Sequence, residues 1–507
     1  MTNKHKNLLL LILIIAFGIF LRTININRYL TWQDEAETII NSIQVIEDGY
    51  PHGYFKGKPM FESISFIKIN DPIYRYASAN YYGSKYENNK GWLTYYYLAP
   101  FIKTFGVSET STRLPFLLFY VLTTIVLYAF SNKLFKNKKI ALLATFIFAI
   151  DYFAIYYEPQ ARYYAITIFL SLLSLYLNYL YIHSKKSKHL FLLTTVIILI
   201  FHTHIILCLS LGLFFIYYDF IKTKKIKFNR YIIYNLAYFL LFTIPWLILV
   251  EFWVNFHTHN VLDNKESIKI LLPLMAIITY IIIIFIKKIL ENKTKIEISK
   301  TINIYLLYSC LTYVVIVPMF IPIESFTPRL FIPLIPVCSI IFAKLFYEIF
   351  KNKKTLKKNT TYILIILLIY ILLLTKTGHY ENYGTTNNIR DMINYAKEIN
   401  LTQEDMITLN WQDLPLSLYT DYNVYHTTTL QADFFNNYQG RILAIFLYKH
   451  IEKDLPKKSV LSTYVNTHKF WLIDNDNFKI YYPRLSTCEQ KTLGNDILLF
   501  DCPALSE

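Results

Sequence analysis

Apolar residues gather into long windows over the first three quarters of the chain, separated by short basic or polar stretches. Eleven windows stand out, at 8–26, 113–131, 140–157, 161–182, 189–203, 204–220, 231–250, 269–286, 302–322, 330–350 and 360–375. Most are about 17–22 residues, the length a helix needs to cross a ~30 Å hydrocarbon core. Residues 189–220 are nearly continuous, interrupted only by His202, Thr203 and His204. No small-residue cleavage pattern follows the first window, so it is expected to remain as an anchor. Two polar stretches break the pattern: a loop at 22–112, rich in Tyr, Asn and charge, and a tail at 376–507. Within the tail NIRDMINYAKEI has helical spacing, while DMITLNW, RILAIFLY, KFWLID, FKIYY and DILLFD read as short strands. The expected fold is a polytopic α-helical membrane protein of eleven spans over 1–375, followed by a small α/β domain over 376–507.

Charge orients these spans. With the N-terminus inside, the inner segments 1–6, 132–139, 183–189, 221–230, 287–300 and 351–359 hold 24 Lys and Arg against two acids, Glu291 and Glu297. The short outer loops 158–162, 252–267 and 321–329 hold only Arg162, Lys265 and Arg329. Basic residues retained on the cytoplasmic side are the usual determinant of orientation. An odd number of spans then puts the tail outside the cytoplasmic membrane. The net charge of +16 is largely explained by this topology and calls for no nucleic acid. Composition agrees, at 54% hydrophobic with only 12 Gly and 17 Pro, too apolar for a soluble protein of this length.

Five cysteines divide along the same line. Cys208, Cys310 and Cys338 fall in spans and read as packing residues, whereas Cys488 and Cys502 lie in the outer tail. Two thiols in an oxidising compartment favour a disulfide, though spacing alone leaves a free pair open. No His/Cys cluster has zinc-site spacing, and no glycine-rich nucleotide motif is present.

Candidate chemistry concentrates at the outer surface. Asp34 and Glu35 stand in WQDEAETII, just beyond the first span and close to Trp32. AETIINSIQVI has helical spacing, so the acids would head an interfacial helix; two solvated loop acids is the plainer reading. A carboxylate there is also the usual base for a hydroxyl attacking an anomeric carbon. Glu158 and Arg162, in YYEPQARYYA, form either a surface ion pair or a cavity-facing pair, with Arg162 on a phosphate. Arg329, in ESFTPRLFIPLIP, and Arg113, in SETSTRLP, open spans in the same plane. Three arginines at the interface where topology removes positive charge match what a lipid phosphate requires; a snorkelling anchor is the alternative for Arg329. His202 and His204 straddle a turn, where hydrogen-bonded structural roles are expected ahead of metal binding.

The order WQDEAE, GWLTYYYLAPFIKTFGVSETSTRLP, EPQARYYA and PRLFIPLIP resembles the GT-C glycosyltransferases related to protein O-mannosyltransferases and to the lipid A aminoarabinose transferase. The resemblance covers most of residues 20–350. It implies transfer of a sugar from a polyprenyl-phosphate donor to an acceptor on the outer face, with no nucleotide and no obligatory metal. It makes Asp34 the catalytic base with Glu35 beside it, puts Glu158 and Arg162 in a second outer-loop site, and sets Arg329 near the donor phosphate. The acceptor is an envelope molecule: lipid A, a glycan or a protein hydroxyl. A transporter or flippase of lipid-linked glycans is the rival class. Such proteins tend to carry ionisable groups near the midplane and to show repeated halves.

Overall fold

The computed structural model describes residues 3–24, 26–27, 29–60, 72–74, 86, 91–223, 230–252, 328–351, 381–409, 412–426, 430–447, 484, 487–493 and 497–505. The chain divides into two compact units: Met1–Ile26, Asn89–Tyr97 and Thr110–Gly378 form the first, and Asn27–Asn88, Leu98–Glu109 and His379–Glu507 the second.

The first unit is helical. Among the described residues its long helices are α1 (Asn3–Thr23), α5 (Leu117–Phe135), α8 (Tyr164–Ser184), α9 (Ser187–Phe201), α10 (Ile205–Thr223), α11 (Arg230–Leu249) and α12 (Ile335–Lys351). Among the described residues, five helical stretches are long and apolar enough to cross a membrane: His5–Thr23, Glu109–Phe135, Tyr164–Ser184, Arg230–Leu249 and Phe331–Glu348. Ser187–Phe201 and Ile205–Phe215 are shorter apolar helices. Small side chains line the buried faces: Thr123, Thr124 and Ser131 on α5, Ala141 and Ala144 on α6 (Lys138–Ala149), and Ser171 and Ser174 on α8. They let helix backbones approach closely, as packing within a bilayer favours. Large apolar residues point outward instead, such as Leu8, Ile12 and Leu13 on α1 and Tyr234 and Leu241 on α11. This is the surface lipid would cover.

Two expected spans are built differently. The window 140–157 breaks after α6: Asp151 caps a second short helix, α7 (Tyr152–Tyr157), by accepting from the Ala154 amide at 2.9 Å. The window 330–350 begins as a 3-10 turn over Pro328–Leu334 before α12, because Pro333 and Pro336 lack the amide hydrogens that α-helix needs. The windows 269–286, 302–322 and 360–375, with strands KFWLID and FKIYY, lie outside the described residues.

The second unit is an α/β domain. Among the described residues five strands, β3 (Met406–Leu409), β4 (Asn423–His426), β5 (Ile442–Leu447), β6 (Glu489–Leu493) and β7 (Ile497–Cys502), form a sheet in the order β4-β3-β5-β7-β6. β3 runs parallel to β4 and β5, and β7 antiparallel to β5 and β6. Alternation along the strands covers both faces. Ile407, Leu409, Leu443, Ile445 and Leu499 pack with α13 (Glu381–Glu398) through Ile389 and Met392, while Met406, Ile442, Ala444 and Phe500 face Phe435 and Leu430. Arg441 clamps β5 to β7 through a two-pronged pair with Asp501, at 2.8 and 2.7 Å. Cys488 and Cys502 are joined by a disulfide.

Residues of the segment after α1 pack into this domain. Tyr74 supplies the second core face, forms a bridge with Leu430, and its neighbour Ile73 accepts from the Gln431 amide at 2.8 Å. α2 (Gln33–Asp48) packs Ala36 and Ile40 with Met60 against Leu414 of α14 (Asp413–Tyr419). The physical reason is coverage: the sheet and α14 leave apolar surface that the loop's Tyr74, Met60 and Leu30 remove from water.

Candidate active site

Asp34 and Glu35 occupy the first turn of α2, whose N-cap is Trp32 in an extended conformation. The run QDEAETIINSIQVIED buries one face and ends at Gly49 in the left-handed region, where glycine meets no steric penalty. The two acids differ in exposure: Glu35 is fully buried, whereas Asp34 is half-buried. The uncompensated amides at a helix N-terminus favour negative charge at both positions.

Tail residues hold the start of α2. Tyr419 accepts from the Thr31 amide at 3.1 Å, bonds the Thr31 hydroxyl at 3.0 Å, and donates to Glu109 Oε1 at 2.9 Å. Gln33 Nε2 donates to Asp413 Oδ1 at 3.0 Å, both groups being buried. None of these partners was apparent from sequence, because the pairs are separated by more than 300 residues.

On the same unit a small open cleft is lined by Lys58, Tyr74, Asp413, Tyr425 and His426. Lys58 donates to Asn423 Oδ1 at 2.9 Å and lies 4.6 Å from the centre of the Tyr425 ring. Burial, helped by nearby Lys56, pushes the Lys58 ammonium down to about 8.

The remaining candidates belong to the helical unit. Glu158 sits in the turn between α7 and α8 and is fully buried. It does not use Arg162 as its ion-pair partner: Arg22, in the last turn of α1, donates from Nε to Glu158 Oε2 at 2.6 Å. Arg22 also donates to the carbonyls of Gly18 at 3.1 Å and Ala149 at 2.9 Å, and its guanidinium lies 3.9 Å from the Tyr120 ring centre. Burial pushes the Glu158 carboxyl up to about 7, with Arg22 pulling in the opposite direction. Glu158 Oε1 has no hydrogen-bond partner among the described residues. The missed signal was Arg22 itself, a lone charge in an apolar helix.

Arg162 is buried beside Tyr163, with 5.4 Å from guanidinium to ring centre. Arg113 is buried too and donates from Nη1 to the Ile26 carbonyl at 2.7 Å, which fastens the end of the first helix. Arg329 is half-buried on the 3-10 turn, a segment docked on α8 where Ser171 Oγ donates to the Pro333 carbonyl at 3.3 Å. His202 bonds the Phe242 carbonyl at 2.9 Å, and its own carbonyl accepts from the Leu93 amide at 2.8 Å. Among the described residues no three His, Cys, Asp or Glu side chains converge as metal ligands.

Residues 89–249, which contain Arg113, Glu158 and Arg162, match the family described as dolichyl-phosphate-mannose-protein mannosyltransferase. Among solved structures, apo ArnT from Cupriavidus metallidurans superposes with a TM-score of 0.55 at 13% identity, covering 97% of each chain. The same protein bound to undecaprenyl phosphate gives a TM-score of 0.53 at 12% identity, again over 97% of each chain. No curated protein sequence matches significantly. The chain thus shares its fold with ArnT over nearly its whole length, and its residues 89–249 are similar to the mannosyltransferase family.

Proposed function

We propose that the protein is an inverting glycosyltransferase of the cytoplasmic membrane, moving a sugar from a polyprenyl-phosphate donor to an envelope acceptor on the outer face. The observation that carries this reading is the acid pair at the head of α2 in a GT-C fold, with Glu35 turned inside and Asp34 half-buried. A carboxylate that must meet a substrate hydroxyl needs access, and Asp34 has it. The structure of ArnT with undecaprenyl phosphate supports a polyprenyl-phosphate ligand for this fold.

In the proposed reaction Asp34 takes the proton of the acceptor hydroxyl as its oxygen attacks the anomeric carbon. The bond from that carbon to the phosphate oxygen breaks, its electron pair leaves with the phosphate, and polyprenyl phosphate is the second product. Arg329 is assigned to the donor phosphate, with Arg162 adding positive charge; a planar guanidinium stabilises the developing phosphate charge through paired hydrogen bonds. Glu35, buried beside Asp34, keeps the helix start in place. Glu158 and Arg113 are assigned supporting roles, since each is already engaged by a partner within its own unit.

The test uses purified full-length protein in lipid nanodiscs with synthetic undecaprenyl-phosphate sugars. Release of undecaprenyl phosphate with acceptor is expected, and Asp34→Asn lowers it about 10²–10⁴-fold, as loss of a general base typically does. Asp34→Asn activity within a few-fold of the parent removes Asp34 as the base. No release, together with movement of donor across vesicle membranes, would instead identify a transporter.

A further inference from the structure

Asp34 belongs to a turn whose flanks are fixed by one short helix of the tail. Three residues before Asp34, Thr31 is held through both its amide and its hydroxyl by Tyr419, at 3.1 and 3.0 Å. One residue before Asp34, Gln33 is held by Asp413 at 3.0 Å. Two residues after it, Ala36 packs against Leu414. Tyr419, Asp413 and Leu414 all lie on α14, Asp413–Tyr419.

The Tyr419 hydroxyl is fully used. A phenol offers one donor and two acceptor positions. Here it donates to Glu109 and accepts from Thr31, so both Thr31 contacts have a defined direction. Burial holds that phenol protonated by raising its pKa, which keeps the donor to Glu109 in place. Gln33 and Asp413 are likewise removed from water, where the loss of a hydrogen bond costs more.

We infer that Tyr419 and Asp413 are positioning residues, through which the tail domain sets the geometry of Asp34. The inference rests on the reading of Asp34 as the base. It gives the tail a role in the chemical step, since a base displaced by about 1 Å loses much of its effect. Removing either contact is expected to lower kcat roughly 10–100-fold, with the donor KM little changed.

The variants are Tyr419→Phe, Asp413→Ala and Asp413→Asn in the full-length protein. Asp413→Asn retains an acceptor oxygen for Gln33 and is expected to keep most of the activity that Asp413→Ala loses. Hydrogen exchange at the amides of residues 33–38 supplies a second measurement that needs no substrate. It is expected to accelerate in Tyr419→Phe and Asp413→Ala while strands β3 and β5 remain protected. In an Asp34→Asn background, Tyr419→Phe is expected to have no further effect on residual turnover, because the positioned group is already lost. Unchanged exchange at the head of α2 overturns the inference, as does an undiminished kcat in both Tyr419→Phe and Asp413→Ala. An equal loss from Tyr419→Phe in the parent and Asp34→Asn backgrounds also overturns it, marking a general structural role. Full activity of Asp34→Asn itself would refute the base assignment, a failure separate from that of the exchange result. Should Tyr419→Phe not fold, Thr31→Val removes the hydroxyl contact alone and carries the same expectations.

Discussion

A guanidinium in the last turn of an apolar helix must find partners, and Arg22 finds a carboxylate and three backbone carbonyls, those of Gly18, Phe148 and Ala149. Deleting it leaves Glu158 buried without its ion-pair partner, a loss of about 3–5 kcal/mol for comparable buried pairs. Arg22→Ala is therefore expected to lower thermal stability in detergent more than Glu158→Gln, whose amide oxygen still accepts from Nε. The reverse order would mean that Glu158 carries the larger share of the local network. Lys58 offers a different measurement. Its pKa of about 8 stands below the ordinary 10.5 because burial disfavours the charged form. Between those two values the unfolded chain holds a proton that the folded chain lacks, so this group's contribution to stability rises with pH across that window. Below about 8 its penalty is complete. Reductive methylation with a 13C label is expected to show a titration midpoint near 8 for this side chain; a midpoint near 10.5 would show that it is solvated.

Two elements depend on close local geometry. Gly91 precedes α3 (Leu93–Phe105) where the chain meets the turn after α9, and a Cβ there would collide with the His202 backbone. Gly91→Ala should separate Leu93 from the His202 carbonyl it now bonds at 2.8 Å. Overpacking of this kind typically costs about 1–3 kcal/mol, visible as a lower melting temperature and less folded membrane protein. A normal melting temperature would show that the turn yields. The second element is the tail's β6–β7 ribbon, closed by Cys488 and Cys502. By loop-closure entropy a ring of this size contributes about 3 kcal/mol. Reduction is expected to lower the denaturant midpoint of the tail, leaving transfer intact at assay temperature because neither cysteine is assigned to the reaction.

At the scale of the whole molecule, the proposed orientation has its own test. That orientation rests on the basic residues that the sequence gathers on one side of the expected spans, the side proposed to be cytoplasmic together with the N-terminus. After reduction and mild unfolding of the tail, a membrane-impermeant maleimide added to intact cells or spheroplasts should label Cys488 and Cys502 and leave Cys208 unlabelled. Protection of the tail cysteines even after mild unfolding would invert the topology. The membrane architecture was legible because lipid imposes it one segment at a time: apolar length and flanking charge suffice, and helices coincide with windows 8–26, 113–131, 161–182 and 231–250. The breaks near Asp151 and Pro333 were less legible, since hydropathy averages over a cap or a proline.

The tail shows where local pattern stops. DMITLNW, RILAIFLY and DILLFD announced β3, β5 and β7 through their apolar runs, but Asn423–His426 and Glu489–Leu493 carry no such run and are defined by their pairing. α14 was missed for a related reason: seven residues, beginning beside Gln412 in a left-handed conformation, are too few to show a period. Asp34 and Glu35 were visible as a pair after a span, yet sequence treated them as equals. Tertiary packing separated them by burying Glu35 and leaving Asp34 half-exposed. The sequence by itself determined the helical membrane class, the basic-side bias and the position of the acid pair, because each is written in consecutive residues. The tertiary structure alone decided that Glu158 pairs with Arg22, that the first loop completes the tail's core, and that Tyr419 and Asp413 grip the head of α2. Those contacts join residues 136 to 388 positions apart, and no local periodicity records a partner so distant.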